Sequence, residues 1–327
     1  MIRVGIAGYG LAGEVFHAPL VAAVDGLEVA AIVTGDAARA ARARAAFPDA
    51  AVVGSTEELW ERIDLLVVAA PNRAHVPLAL AAVERDIAVV VDKPLAPGAE
   101  EAERLLEAGG QLTVFQNRRW DGDFLTLRRV LPELGPVVRL ESRFERFRPE
   151  VRTDAWRELP DAAEGGGLLL DLGAHLVDQA RVLFGHPRRV YAEVRTVRPG
   201  ARVDDDVFVA LEHPGGEVAH LWMSAAQPLA SAVGPRFRVS GLQAGFASDG
   251  LDPQEAQLGA GVRPGDPTYG IRPPLERGRY EDFYAGVVAW LRDGAPPPVD
   301  PADSLAGLRI LEAARRSSES KTVEELE

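Results

Sequence analysis

The stretch GIAGYGLAGEVF at residues 5–16 decides the fold, because its glycines stand between an apolar strand and a helical segment. They follow the G-x-G-x-x-G pattern of dinucleotide-binding βαβ units. The first glycine permits a tight turn, the second lets backbone amides approach a pyrophosphate, and the third allows close packing of helix on strand. The helix N-terminus adds unpaired N–H groups for the phosphates. The predicted binding loop is Gly8, Tyr9, Gly10, Leu11, Ala12 and Gly13.

Outward from this turn, the first third of the chain alternates apolar runs with amphipathic segments. Nearly continuous apolar runs indicate parallel strands that are buried on both faces. Strands that alternate with helices predict right-handed crossovers and a doubly wound parallel sheet. The predicted strands are 2–8, 27–34, 50–54, 64–71, 87–92 and 111–117.

After about residue 118 the chain changes to alternation with period two. In VVRLESRFERF, residues 137–147, apolar and charged side chains occupy opposite faces. This pattern predicts an antiparallel or mixed sheet with one face on helices. One helix is predicted at 165–184, and a short helix at DPQEAQL inside the Gly- and Pro-rich stretch 244–279. We therefore expect two domains, 1–118 and 119–327.

Composition narrows the class of protein. A chain of 327 residues is long enough for two cores. The net charge of −13 argues against nucleic acid or an anionic membrane as a partner. The absence of cysteine excludes disulfides and thiolate chemistry. No apolar run approaches the roughly 20 residues that cross a bilayer, so we expect a soluble, cytoplasmic protein.

The end of the second strand bears on which dinucleotide binds. An NAD site usually has an acidic residue here for the ribose 2′-hydroxyl, but the sequence IVTGD places Thr34 at that position. Thr34 and Gly35 leave room for a 2′-phosphate, which Arg39 can neutralise. NADP is therefore preferred, although Asp36 could bind a ribose and restore NAD.

Two further strands end in polar sequences at the same edge of the sheet. The fourth strand leads into AAPNRAH, so Ala70, Pro71, Asn72 and His75 are expected beside the cofactor. Asn72 could instead cap the following helix.

The fifth strand leads into DKP, where Lys93 is one of two lysines in a chain that otherwise uses arginine. An amine in a desolvating site can lose its proton, whereas arginine keeps its own. We therefore predict that Lys93 takes part in the chemistry.

The helical stretch GGGLLLDLGAHLVDQA, residues 165–180, carries the predicted proton-transfer groups. Asp171, His175 and Asp178 fall at i, i+4 and i+7, on one helix face surrounded by leucines. A buried histidine with a carboxylate one turn away favours acid–base chemistry. No metal site is predicted, since no second histidine stands at ligand spacing.

Five motifs together resemble the Gfo/Idh/MocA family of NAD(P)-dependent sugar and polyol oxidoreductases. They are GYGLAG, APNxxH, DKP, FQNRRWD and GGGxLxDLGAH, and the similarity spans essentially the whole chain. Three of them look most like the NADP-preferring scyllo-inositol dehydrogenase branch. The family usually has Glu-Lys-Pro where this chain has Asp92, Lys93 and Pro94.

The resemblance implies an α/β fold: a Rossmann domain plus an α/β domain with an open, mostly antiparallel sheet that forms homodimers or homotetramers. It implies that Lys93, Asp171 and His175 are catalytic and that Asp92, Lys93 and Pro94 lie at the cofactor. Asn117, Arg118 and Trp120 are expected at the junction of cofactor and substrate. Further substrate-pocket predictions are Trp156, Arg157 and Tyr280, for which packing roles are an alternative.

Two other functions remain open from the sequence. The chain could be a non-enzymatic dinucleotide sensor on the same fold, since fold does not guarantee chemistry. It could also reduce a non-sugar carbonyl or imine with the same cofactor.

Overall fold

The computed structural model describes residues 1–151, 158, 165–228 and 235–326. The chain forms two compact units. The first unit comprises residues 1–96, 100–122 and 252–303, and the second comprises residues 97–99, 123–251 and 304–327.

The first unit is built on a six-stranded parallel sheet with the order β3-β2-β1-β4-β5-β6. Its strands are β1 (Ile2–Ala7), β2 (Leu27–Val33), β3 (Ala51–Val53), β4 (Leu65–Val68), β5 (Ala88–Asp92) and β6 (Leu112–Phe115). Every residue of β4 is buried, as expected for an inner strand covered on both faces. The order reverses between β1 and β4, where open α/β sheets bind ligands at the carboxyl ends of their strands. The predicted doubly wound sheet is confirmed.

The second unit is built on a seven-stranded sheet with the order β12-β11-β7-β10-β9-β8-β13. Its strands are β7 (Val137–Glu145), β8 (Arg189–Arg195), β9 (Asp206–Glu212), β10 (Val218–Ser224), β11 (Pro235–Gly241), β12 (Gly245–Asp249) and β13 (Glu324–Glu325). Neighbouring strands are antiparallel except β7 and β10, which are parallel. Buried and half-buried residues alternate along β9 and β10, so one face is covered. The mostly antiparallel sheet is confirmed, with two short strands, β12 and β13, that the alternation did not indicate.

The α-helices within the described ranges are α1 (Ala18–Ala22), α2 (Ala37–Ala46), α3 (His75–Val83), α4 (Ala99–Glu107), α5 (Gly122–Val130), α6 (Leu168–Asp171), α7 (Gly173–Phe184), α8 (Gln254–Gly259), α9 (Glu281–Asp293) and α10 (Pro301–Ser320). A π-helical segment, Ala12–His17, leads into α1. The short helix predicted at DPQEAQL is α8. None of these helices has the length and apolar character needed to cross a membrane.

The segment 252–303 belongs to the first unit, although it follows the second sheet along the chain. Within it, α9 packs against α1. The rings of Phe283 and Tyr284 lie 5.0 and 5.9 Å from the ring of Phe115, and all three are buried. The single domain boundary predicted between residues 118 and 119 therefore differs from the compact units, because burial of these rings returns the segment to the first sheet.

The single helix predicted at 165–184 is two helices, α6 and α7, separated by Leu172. Before α6, Gly167 has φ of +97°, and a Cβ there would overlap the carboxylate of Asp204. Asp204 accepts a hydrogen bond from the Leu169 backbone N–H at 2.7 Å, which satisfies a donor at the start of α6. Both helices pack on the covered face of the second sheet.

His213, just after β9, links the stability of the fold to pH. It is 1% exposed, and its Nδ1–H donates to the carbonyl oxygen of Gly185 at 3.0 Å. Burial lowers the pKa of His213 below its ordinary value. The unfolded chain therefore binds this proton more strongly than the folded protein. The free energy of unfolding falls as the pH drops below about 6.5, by at most about 1.4 kcal/mol per pH unit for one proton.

We expect the His213→Asn variant to lose less stability than the wild-type protein between about pH 6.5 and about pH 5. Asparagine keeps an N–H donor for Gly185 but takes up no proton, so the comparison isolates the titration. Urea denaturation at a series of pH values measures this difference. Parallel pH profiles for the two proteins would contradict the assignment.

Candidate active site

The glycine turn has the shape that a bound pyrophosphate requires. Gly8 has φ of +105°, and a Cβ there would overlap the carbonyl oxygen of Ala69, just after β4. A Cβ on Gly13 would overlap the carbonyl oxygen of Gly8, so the helix begins in backbone contact with the turn. At Gly10 the space is open, and Nη1 of Arg39 lies 3.9 Å from where a Cβ would stand. Phosphates can approach the backbone here, and the residues present fit a dinucleotide.

The other residues of the predicted loop differ in exposure. Leu11 is 57% exposed and Ala12 is half-buried, whereas Tyr9 is 2% exposed. Because its side chain is buried, Tyr9 can reach a ligand through its backbone alone.

After β2, the acidic side chain of Asp36 and the basic side chain of Arg39 have different partners. Asp36 caps α2: its Oδ1 accepts the backbone N–H of Arg39 at 2.8 Å, and its own N–H donates to Oγ1 of Thr34 at 3.3 Å. The hydrogen bond from Arg39 holds the pKa of Asp36 below its ordinary value. One carboxylate oxygen is thus engaged by the helix, while the Arg39 guanidinium reaches toward Gly10.

His75, at the start of α3, ties two loops of the crevice together. Its Nδ1 lies 2.7 Å from the carbonyl oxygen of Pro94, and its Nε2 lies 3.0 Å from that of Ala70. Burial lowers the pKa of His75, and the charge of Asp92 opposes this shift. Both ring nitrogens of His75 face backbone carbonyls, and its contact with a cofactor stays a prediction. Pro71 is exposed in the same loop, and Asn72 is buried.

Lys93 follows β5 directly and is half-buried. Its backbone N–H donates to Oδ1 of Asp92 at 2.8 Å. The same oxygen lies 3.9 Å from Nε2 of His17, an electrostatic contact that is longer than a hydrogen bond. Burial raises the pKa of Asp92, but His17 and Lys93 outweigh that effect and bring it below its ordinary value. An ionised Asp92 therefore anchors the backbone at Lys93. No local sequence pattern indicated that His17 lies beside this carboxylate.

The segment after β6 was expected at the junction of cofactor and substrate. Arg118 is 7% exposed, with Nη2 2.7 Å from Oε2 of Glu255 and Nη1 3.4 Å from Oδ2 of Asp121. The fully buried Tyr280 donates its hydroxyl to Oδ1 of Asp121 at 2.7 Å. Arg118 and Tyr280 both belong to one buried network around Asp121, and their contacts with cofactor and substrate stay predictions.

Asn117 and Trp120 of the same segment were also predicted to lie at the junction of cofactor and substrate. Asn117 is 7% exposed, and Trp120 is half-buried with its ring 5.6 Å from that of Phe283. Their contacts with a ligand stay a prediction.

We expect Tyr280→Phe to lower the free energy of unfolding by about 1–3 kcal/mol, because the buried Asp121 loses a donor. Burial raises the pKa of Tyr280 well above 10, so its hydroxyl keeps the proton that it donates. Affinity for NADPH should not change. The control is Tyr191→Phe, a half-buried tyrosine of β8. Fluorescence titration and urea denaturation measure the two quantities. Unchanged stability in Tyr280→Phe together with a raised KM for the substrate would favour a direct substrate contact over the structural role.

The second unit carries the predicted acid–base pair. Asp171 is the last residue of α6 and is half-buried, and His175 lies in the first turn of α7 at 4% exposure. Leu172 between them keeps helical dihedral angles, φ −98° and ψ −34°. Asp178, further along α7, is 3% exposed. Lys93 belongs to the first unit, and Asp171 and His175 belong to the second.

Sequence reasoning also missed Asp204, which orients the helix that ends at Asp171. Its Oδ2 accepts the backbone N–H of Leu169, and its Oδ1 lies 3.1 Å from Nη2 of Arg315. The available signal was the acidic run DDD at residues 204–206.

Two predictions have no structural outcome. Trp156 and Arg157 lie outside the described residues.

Across residues 1–151, 158, 165–228 and 235–326, no group of three or more His, Cys, Asp or Glu side chains could hold a metal ion.

A doubly wound sheet whose switch point carries an open glycine turn defines the class of dinucleotide-binding Rossmann proteins. Residues 2–114 match the oxidoreductase family with an NAD-binding Rossmann fold, and residues 124–247 match the GFO/IDH/MocA C-terminal domain. The chain belongs to the Gfo/Idh/MocA family of oxidoreductases. It is an NAD(P)-dependent dehydrogenase that acts on CH–OH groups.

Individual relatives match over nearly the full length. The chain is 35% identical to scyllo-inositol 2-dehydrogenase (NADP⁺) IolW of Bacillus subtilis, over 98% of this chain and 94% of that protein. It is 37% identical to the oxidoreductase YdgJ of Escherichia coli, over 98% and 97% of the two chains. The structure of oxidoreductase yvaA from Bacillus subtilis superposes with a TM-score of 0.92 at 34% identity, covering 100% of this chain and 98% of that one.

Proposed function

We propose that the protein catalyses reversible hydride transfer between NADP and a hydroxyl-bearing carbon of an inositol, a sugar or a related polyol. The observation that carries this proposal is the position of Lys93. Its strand, β5, and the strand that leads into the open glycine turn, β1, belong to one parallel sheet on either side of β4. Both therefore present their carboxyl ends at the same edge. The name of the Bacillus subtilis relative, an NADP⁺-dependent inositol dehydrogenase, supports the same substrate class.

The proposed reaction divides proton and hydride between different acceptors. A bound nicotinamide cofactor, held by the glycine turn, would supply the acceptor for the hydride that leaves the substrate carbon. His175 accepts the proton of the substrate hydroxyl as general base, and the C–O bond becomes a carbonyl. Asp171 orients the imidazole and stabilises its protonated form. Lys93 donates a hydrogen bond to the substrate oxygen, which polarises the carbonyl in the reductive direction.

The preference for NADP over NAD rests on Arg39. Its guanidinium lies beside the open position at Gly10, and Asp36 is engaged as the cap of α2. A 2′-phosphate here could pair with the guanidinium of Arg39. A ribose hydroxyl could donate to at most one oxygen of Asp36, because the other caps the helix. An arginine nearby is the usual way in which Rossmann sites accommodate a 2′-phosphate.

We expect Arg39→Ala to weaken NADPH binding by about tenfold or more, because a charge-assisted hydrogen bond to the phosphate is lost. NADH binding should change little. The control is Arg44→Ala on the same helix, whose guanidinium points to the carbonyl oxygen of Val52. Fluorescence titration with both cofactors measures the two constants. An equal loss for NADPH and NADH would contradict the assignment to the 2′-phosphate.

We expect Lys93→Arg to reduce kcat by at least about 100-fold, because the larger guanidinium cannot take the place of a compact amine at the substrate oxygen. NADPH affinity should survive. Lys321→Arg is a matched control, since it makes the same change at the other lysine, which is exposed. The assay uses NADP⁺ and NAD⁺ with inositol stereoisomers and aldoses.

Two outcomes would count against this function. Retained turnover in Lys93→Arg would remove the role given to the amine. Cofactor binding by the wild-type protein without turnover of any polyol or sugar would favour the dinucleotide sensor instead.

The partner of the second unit is proposed to be another copy of this chain. The accessible face of its sheet carries aromatic side chains: the rings of Phe208 and Trp222 lie 5.2 Å apart, and Cζ of Arg143 lies 4.0 Å from the Trp222 ring centroid. Aromatic residues and arginine are enriched where proteins associate. We propose a homodimer or homotetramer through this face. The cytoplasmic location stays a prediction.

A further inference from the structure

A line of side chains leads from the interior of the first unit to Lys93. Oη of Tyr284, on α9, lies 2.6 Å from Nδ1 of His17. Nε2 of the same imidazole lies 3.9 Å from Oδ1 of Asp92. That oxygen accepts the backbone N–H of Lys93 at 2.8 Å. Four residues from three places in the sequence are thus connected, and two of them, His17 and Tyr284, have no role in the proposed reaction.

The environment selects one tautomer of His17. His17 and Tyr284 are both 0% exposed, and the ring of Phe115 lies 4.5 Å from the imidazole. Burial and the charge of Asp92 raise the pKa of Tyr284 well above 10, so its hydroxyl keeps its proton. The hydroxyl can therefore donate to Nδ1, and the proton of a neutral imidazole then resides on Nε2.

The Nε2–H tautomer is the one that suits Asp92. With the proton on Nε2, the imidazole presents a positive dipole end to the carboxylate. With the proton on Nδ1, it would present a lone pair to a negatively charged oxygen. Buried carboxylates need such compensation to stay ionised. The carboxylate that the imidazole faces is also the group that holds the backbone of Lys93.

We propose that Tyr284 and His17 are positioning residues for Lys93: Tyr284 fixes the Nε2–H tautomer of His17, which orients Asp92 and thereby the backbone that carries the amine. The inference rests on the proposed function for its catalytic consequence. Its structural part stands on the distances within the first unit. Neither residue touches substrate or cofactor in this assignment.

Three variants separate the two ends of the imidazole. His17→Gln places an amide N–H near the position of Nε2, so it still donates toward Asp92. His17→Asn places an amide oxygen near the position of Nδ1, so it still accepts from Tyr284 but sends no donor toward Asp92. Tyr284→Phe removes the donor to Nδ1 and leaves the imidazole in place.

The first readout is the tautomer of His17, measured by long-range ¹H–¹⁵N NMR on protein labelled with [¹⁵N]histidine. We expect the Nε2–H tautomer of the imidazole in the wild-type protein and a mixture of tautomers in Tyr284→Phe. A predominant Nδ1–H tautomer in the wild-type protein would overturn the inference. So would an unchanged tautomer in Tyr284→Phe.

The second readout exploits the rarity of lysine in this chain. Labelling with [¹⁵N]lysine gives two backbone amide signals, from Lys93 and Lys321. We expect hydrogen exchange at the Lys93 amide to be about tenfold faster in His17→Asn and within about threefold of wild type in His17→Gln. Lys321 is the internal control. Equal exchange at Lys93 in both variants would overturn the positioning role.

The third readout is turnover of scyllo-inositol with NADP⁺. We expect kcat to fall about tenfold in His17→Asn and to recover in His17→Gln, with KM for NADP⁺ unchanged, because a displaced amine slows the reaction without weakening cofactor binding. Equal kcat values in the two variants would overturn the inference. If the wild-type protein does not turn over scyllo-inositol, the assay uses the inositol or aldose that it does turn over. A wild-type protein without turnover of any polyol or sugar would contradict the proposed function, and the two NMR readouts would then decide the inference alone.

Discussion

The structure of the first unit depends on a close contact between backbone segments that leaves no room for a side chain. At the glycine turn, the start of the π-helical segment lies against the carbonyl of Gly8, and Gly8 lies against the carbonyl of Ala69. A Cβ at either Gly8 or Gly13 would force the turn away from the sheet. This close approach brings the helix N-terminus to the carboxyl edge of β1 and β4. The crevice at the switch point of the sheet is a consequence of that contact.

A second constraint is the burial of charge behind this crevice. Asp92 stays ionised because His17 and the positive charge of Lys93 offset the cost of removing its carboxylate from water. His75 contributes the other fixed point, since its ring packs between the carbonyl oxygens of Ala70 and Pro94 and its single N–H donates to one of them. The crevice therefore rests on polar groups with defined partners, which give its edge a single geometry.

The segment 252–303 provides buried partners for several polar residues that the sequence places near the predicted crevice. It supplies Glu255 to Arg118, and its Tyr280 binds Asp121. A polar residue beside a predicted crevice is expected to bind ligand, but these side chains turn inward and satisfy one another. The partners are more than 100 positions apart in the chain, so no local pattern could have revealed the pairing.

The sequence by itself determined the doubly wound sheet, the glycine turn and the position of Lys93 at the end of a strand. These features depend on local periodicity and on conformations that glycine alone adopts readily, and both are written in neighbouring residues. It also indicated the mostly antiparallel second sheet, because alternation with period two is local. Tertiary structure decided the return of residues 252–303, the break at Leu172 and the inward turn of Tyr280. Each of these follows from burial against residues distant in sequence. A short stretch of the chain holds only one partner of such a contact, so local patterns cannot predict it.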